Sequence, residues 1–170
     1  MEDHILYLLL GSNLGNREEF LTRAIHKIRE QIGVVQQLSS VYESAPWGFR
    51  AETNFLNRVI SVITRLSPEE VLLEILGIEN ESGRIRTREK YESRTLDIDI
   101  LFYDKIVLNE ETLQIPHPKI EERRFVLVPL EEIAPDHLHP VNGQTTTQLL
   151  ALCPDQGWVR KLNKSVSDDL

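Results

Sequence analysis

Asp97 and Asp99 stand two residues apart in the run Arg94-Thr95-Leu96-Asp97-Ile98-Asp99-Ile100-Leu101, alternating with three aliphatic residues. That period of two predicts a β-strand entering a core. Side chains at i and i+2 of a strand share one face, roughly 7 Å apart. Two ionised carboxylates there repel each other, and Asp is depleted in strands by propensity. A hard divalent cation such as Mg²⁺ turns the pair into a binding site, because it takes carboxylate oxygens. The competing account is a solvated strand face.

The preceding segment bears on that choice. Between Gly83 and Arg94 the chain carries Arg84, Arg86, Arg88, Lys90 and Arg94, in a protein whose formal net charge is −8. Guanidinium groups match phosphate oxygens in a bidentate fork. An acidic pair beside an arginine-rich loop suits the handling of a Mg²⁺-bound polyphosphate. A surface loop of exposed ion pairs would not need to abut a paired-Asp strand, so phosphate chemistry is the favoured reading.

These residues need a scaffold. The 170 residues, 41% hydrophobic and 27% charged, fit one folded domain with a proper core. We read residues 1–162 as that domain and 163–170 as a flexible polar tail. Ile5–Leu10 reads as a buried strand, followed by a helix with Phe20, Leu21, Ala24, Ile25 and Ile28 on one stripe. Residues 34–42 and 55–64 read as two further strands. Ser67-Pro68-Glu69-Glu70 then starts a helix with an N-cap, a first-turn proline and a capping Glu. After the paired-Asp strand come a hairpin through Asp104-Lys105 with 106–108 and 113–115, and a helical or extended piece at 125–130. A small helix over 146–152 and a strand over 158–162 complete the reading. The order strand–helix–strand–strand–helix–strand is that of a split βαβ unit. The expected fold is therefore α+β, a ferredoxin-like sandwich with a mainly antiparallel sheet flanked by helices.

Composition narrows the partners. An acidic balance argues against a general nucleic-acid partner. The single cysteine, Cys153, can form neither an internal disulfide nor a zinc cluster, which points to a reducing cytoplasm. The N-terminal apolar run is too short for a signal-peptide core or a membrane span. Gly11-Ser12-Asn13-Leu14-Gly15-Asn16 lacks the Gly-Lys-Ser/Thr ending of a phosphate loop, so a tight glycine turn is its expected role. His117, between Pro116 and Pro118, is either a buried, satisfied imidazole or a phosphate donor, and Arg123 nearby favours the donor. Glu79 falls on the apolar stripe of its helix, where a carboxylate is seldom unpaired. An arginine from the loop is its expected partner.

Several motifs in this order resemble the 6-hydroxymethyl-7,8-dihydropterin pyrophosphokinase family over nearly the whole chain. They are Gly11-Ser12-Asn13-Leu14, Tyr42 with Pro46-x-Gly48, Phe55-Leu56-Asn57, Gly83-Arg84-x-Arg86 and Arg94-Thr95-Leu96-Asp97-Ile98-Asp99-Ile100. Pro116-His117, Arg123-x-Phe125, Pro129-Leu130 and Ile133-Ala134-Pro135 complete the set. The resemblance implies transfer of the β,γ-diphosphate of ATP to the hydroxymethyl group of a reduced pterin, with release of AMP. It implies that Asp97 and Asp99 hold two Mg²⁺ ions. Arg84 and Arg94 would stabilise the transferred group from a closing loop. Glu79, Arg86, Tyr91, Ile100, His117 and Arg123 would bind ATP, the co-substrate. Phe55 and Phe125 would sandwich the pterin, with Ser44, Ala45, Trp47, Asn57 and Asp97 around it. A cytoplasmic monomer acting on small molecules, with no nucleic acid and no membrane, is the expected setting. The chain departs from the family pattern at Phe55, where Tyr is common, and at Ala45, Tyr91, Glu92 and Pro118.

Two other classes use some of the same features. A metal-dependent phosphohydrolase would use the Asp pair without a pterin pocket. A single-strand RNA binder of split βαβ type would place aromatics, not Asp97 and Asp99, on its open strands.

Overall fold

The computed structural model describes residues 2–48, 53–83 and 95–163. The first apolar run forms β1 (His4–Ser12), and α1 (Arg17–Gln31) follows it, with the Asn16 side chain accepting from Glu19 N at its start. Strands β2 (Gly33–Leu38), β3 (Tyr42–Ser44) and β4 (Phe55–Thr64) lead to α2 (Pro68–Glu81). The expected start of α2 is realised as a capping box, in which Ser67 Oγ accepts from Glu70 N and Glu70 Oε1 accepts from Ser67 N. The paired carboxylates lie on β5 (Asp97–Tyr103). The hairpin β6 (Leu108–Asn109) and β7 (Gln114–Ile115), helices α3 (Arg124–Ile133) and α4 (Thr146–Leu152), and strand β8 (Val159–Lys161) follow.

The main sheet runs β5-β1-β4-β3-β8, with β2 also paired to β4, and every pairing is antiparallel. This is the expected α+β, split βαβ architecture. Alternation along the strands sorts the side chains into two layers. Leu6, Leu8, Leu10, Leu56, Ile60, Ile98 and Ile100 face α1 and α2, meeting Leu21, Ile25, Ile28, Val71, Ile75 and Ile78. Leu9, Val59, Leu101 and Phe102 face Val126, Leu127, Leu130 and Leu149 of α3 and α4. Each such side chain contributes on the order of 1.5–3 kcal/mol by leaving water. Gly11, Asn57, Asp97 and Asp99 share the alternation of the second face, and beside it they line a cleft.

The expected strand over residues 34–42 is instead two strands, β2 and β3, because side chains take over the backbone between them. Ser39 Oγ accepts from Val59 N at 2.9 Å and donates to Ser40 O at 2.8 Å. Arg58 Nε and Nη2 both donate to Ser39 O. Ser40 N and Oγ turn outward to Glu132 of α3. The glycine loop is also divided: Gly15 takes the expected left-handed turn at φ +70°, but Gly11 lies inside β1. The hairpin pairs 108–109 with 114–115 in its own small sheet, after a turn at Asp104. The undecided piece at 125–130 is helical, within α3.

One irregularity matters for the site. The β1·β5 register shifts between Tyr7, opposite Phe102, and Leu8, opposite Ile100, so Leu101 is bulged out of the ladder. Its carbonyl accepts from His117 N at 3.0 Å and anchors the chain after the hairpin.

Candidate active site

Pairing registers bring residues from three strands into one row. Gly11 of β1 lies opposite Asp97 of β5 on one side and Asn57 of β4 on the other. In the next row on that face, Leu9 lies between Asp99 and Val59. Gly11 is required by close approach. A Cβ at this position would stand 2.7 Å from Asn57 Oδ1, nearer than carbon and oxygen can pack. Asn57 is only 3% exposed and donates through Nδ2 to Ser44 Oγ at 3.2 Å. Its amide is thus fixed on the cleft floor, with Ser44 held beside it.

The cleft has a volume of about 370 Å³. Ser44, Asn57, Asp97 and Asp99 line it from the sheet, while Ala45 and Trp47 line it from the loop after β3. Phe55 and Phe125 contribute two aromatic rings. The Arg123 guanidinium stands 4.7 Å from the Trp47 ring centre and 5.6 Å from that of Phe125, and Lys119 Nζ is 5.6 Å from Trp47. Each cation lies within the range of cation–π attraction. Arg123 Nε is buried without a hydrogen-bond partner. Such a donor costs free energy until an acceptor reaches it.

A second cavity, of about 360 Å³, adjoins the first between α2, β5 and the β6–β7 hairpin. Asp99, Gln114, His117 and Pro118 line both. Ile100 lines the second, with Leu72, Ile75 and Leu113 as apolar neighbours. Gln114 and Lys119 were not anticipated from sequence. Gln114 is a polar residue in a two-residue strand, and Lys119 gave no motif beyond its charge.

Glu79 lines neither cavity. It is 2% exposed, and its Oε2 accepts from Ile98 N at 2.9 Å, the amide between the two aspartates. The carboxylate therefore holds the strand that carries Asp97 and Asp99. Arg84, Arg86, Tyr91 and Arg94, the arginine partner expected for Glu79, the closing loop and the tail from 164 lie outside the described residues.

The donor chemistry fits Mg²⁺. No group of three or more His, Cys, Asp or Glu among the described residues is arranged to hold a metal. Mg²⁺ does not need one: it binds through one or two carboxylates, with substrate phosphates and water completing its shell.

His117 is held neutral. Burial pushes its pKa down from 6.5 to about 4; the Arg123 and Lys119 charges act in the same direction, and Asp97 opposes them. Its Nδ1 accepts from Lys119 N at 3.1 Å, which leaves the proton on Nε2 as a donor. His117 should therefore stay uncharged from pH 5 to 8, and its ring proton shifts should titrate near pH 4 in NMR. The stability tied to its neutral form is complete above pH 6.5 and is lost as pH falls toward 4. A midpoint near 6.5 would show that the imidazole is not desolvated.

An antiparallel split βαβ sheet with paired carboxylates, two aromatic rings and a cationic rim at one end defines a domain suited to small-molecule phosphotransfer. The chain belongs to the 7,8-dihydro-6-hydroxymethylpterin-pyrophosphokinase (HPPK) family, which matches it over residues 7–135. It is 44% identical over 136 residues to the 2-amino-4-hydroxy-6-hydroxymethyldihydropteridine pyrophosphokinase of Aquifex aeolicus, covering 80% of this chain and 84% of that one. The Bacillus subtilis protein of the same name is 42% identical over 133 residues, covering 77% and 78%. A folic acid synthesis protein of Pneumocystis carinii is 43% identical over 143 residues, but the match spans only 19% of that longer chain. The crystal structure of Plasmodium falciparum HPPK-DHPS with SDX-DHP shares the fold, with a TM-score of 0.69 at 19% identity over 87% of this chain and 43% of that one.

Proposed function

We propose that this protein transfers the β,γ-diphosphate of ATP to the hydroxymethyl group of 6-hydroxymethyl-7,8-dihydropterin in folate biosynthesis, releasing AMP. The observation that carries this reading is the meeting of two cavities at Asp99, Gln114, His117 and Pro118. One carries two aromatic rings and a buried amide; the other is lined by Leu72, Ile75, Ile98, Ile100 and Leu113 on one hand and by Asp99, Glu111, Thr112, Gln114 and His117 on the other. A pterin in the first, between Phe55 and Phe125, presents its hydrogen-bonding edge to Asn57 and Ser44. A nucleoside in the second, against Leu72, Ile75 and Ile100, directs its phosphates toward the junction. There the hydroxymethyl oxygen forms its bond to the β-phosphorus while AMP departs.

Phosphoryl transfer needs positioning and charge neutralisation more than covalent help. Asp97 and Asp99 would hold two Mg²⁺ ions, which would supply neutralisation of the phosphate charge. His117 donates from Nε2, and the unpartnered Arg123 Nε gains an acceptor when phosphate arrives. Glu79 supports the carboxylates through the Ile98 amide. Arg84 and Arg94 would stabilise the charge of the transferred group, and Arg86 and Tyr91 would bind ATP. The protein acts as a cytoplasmic monomer. Its single cysteine supports the reducing compartment.

The direct test measures AMP formed from ATP with and without the hydroxymethyl-dihydropterin, and with Mg²⁺ replaced by EDTA. AMP production that requires both the pterin and the metal is expected. Pterin-independent release of phosphate and ADP would assign the site to a phosphohydrolase instead.

A further inference from the structure

A charged tie outside the cleft braces its most vulnerable edge. Strand β3 has only three residues, and its last cross-strand pair is Ser44 with Phe55, two of the residues that line the cleft. Short ladders fray at their ends, and among the described residues no β3·β4 pairing lies beyond this one, although Ser44 also pairs with Val159 of β8 on its other side. Arg17, the first residue of α1, reaches this end from the helix layer. Its Nη1 donates to the Asn54 carbonyl at 2.8 Å and to Glu43 Oε2 at 3.3 Å. Glu43, with its side chain only 14% exposed, also accepts from Arg160 of β8 through Oε1.

The placement of Arg17 is unfavourable on local grounds. A cation in the first turn opposes the helix dipole, whereas its neighbours Glu18 and Glu19 suit that position. The loop before α1 supports the same point of β4, since Thr53 Oγ1 donates to Asn13 O and Asn13 Nδ2 donates to Thr53 O at 3.5 Å. The β1–α1 connection thus grips residues 53 and 54, immediately before Phe55.

We propose that Arg17 and Glu43 are positioning residues for the pterin side of the cleft, fixing Ser44 and Phe55 at the open end of the β3·β4 ladder. This rests on the pterin reading above for its kinetic consequence, but not for its structural one. Both residues lie away from the junction of the two cavities, so the tie bears on one substrate and not on the other. Displacement of a binding group by about 1 Å suffices for a large loss.

The variants are Arg17→Met, which keeps the aliphatic stem and removes both contacts, Glu43→Gln, the pair together, and Arg17→Lys. KM for the pterin should rise about tenfold in Arg17→Met, with kcat and the KM for ATP within about twofold of the parent. Arg17→Lys should fall between parent and Arg17→Met. The double variant should be no worse than Arg17→Met alone, as expected for residues acting as one unit. Amide exchange at Ser44 and Phe55 should accelerate in Arg17→Met relative to Val59 deeper in β4, with no ligand present. Equal rises in both KM values, or a fall in melting temperature with unchanged pterin KM, would make the tie merely structural and overturn the proposal. Unchanged exchange at Ser44 and Phe55 would overturn it whatever the enzyme's substrate. A parent protein that fails to turn over the pterin, with exchange accelerated as expected, would instead refute the pterin reading and leave the tie in place.

Discussion

Replacing either Asp97 or Asp99 by alanine should lower diphosphate transfer by about a thousandfold or more while the protein stays folded. The two carboxylates lie on one face of β5, in successive rows opposite Gly11 and Leu9, and both reach the cleft. Either loss removes a hard oxygen donor from the point where the phosphates would pass. Groups that neutralise charge developing in a transition state are commonly worth factors of 10² to 10³ each. The fold should hold because the contribution of β5 comes from Ile98, Ile100, Leu101 and Phe102, all buried, and not from the aspartates, which are half-buried. AMP release should be followed across a Mg²⁺ titration, with circular dichroism as the folding control. Near-normal Mg²⁺-dependent turnover in both variants would remove the metal from this strand.

Gly11→Ala should weaken pterin binding by about a hundredfold and leave ATP binding nearly unchanged. The added Cβ would fall 2.7 Å from Asn57 Oδ1, so the buried amide must swing away from Ser44 and from the ligand edge. A polar group left unpaired in a buried site costs about 1–3 kcal/mol, and overpacking adds a comparable amount. Asn57→Ala should itself cost roughly ten- to a hundredfold in pterin affinity, by loss of the amide alone. The informative comparison is the double variant. Once Asn57 is truncated, the new methyl group has nothing polar to displace, so Gly11→Ala should add little to Asn57→Ala. Calorimetric titration with each substrate separately tests this. Additive losses, or equal losses for ATP and pterin, would mean that Gly11 acts on the scaffold and not through Asn57.

The parts of this architecture legible in the sequence were those written in local periodicity. The alternation of Leu96, Ile98 and Ile100 with Asp97 and Asp99 gave both the strand and its acidic face, and Ser67 to Glu70 gave a helix start down to its reciprocal bonds. What stayed hidden depended on contacts between distant segments. Nothing near Ser39 announces that Arg58 and Val59 will claim its backbone and end β2 early. Gly11 looked like a turn glycine because the reason for it, the Asn57 amide, lies on another strand. Glu79 accepts from a backbone amide of β5, a partner no side-chain pattern can reveal, while the arginine partner expected for it lies outside the described residues. Residues lining the cleft fared better where a family motif carried them, as with Ser44, Phe55, Asn57 and Phe125, than where only chemistry could, as with Gln114 and Lys119.

The row that joins Asp97, Gly11 and Asn57 also sets the order in which the molecule can become competent. Its members come from an early, a middle and a late strand, and β1 must have neighbours on both sides before the row exists. Such pairings are long-range, and their loop-closure entropy must be met before they return any stability. During synthesis, a nascent chain that has emerged only through β4 can assemble the amide and the glycine but not the carboxylates. Competence for transfer therefore waits on the acidic edge strand, which can join β1 only after β4 has been made.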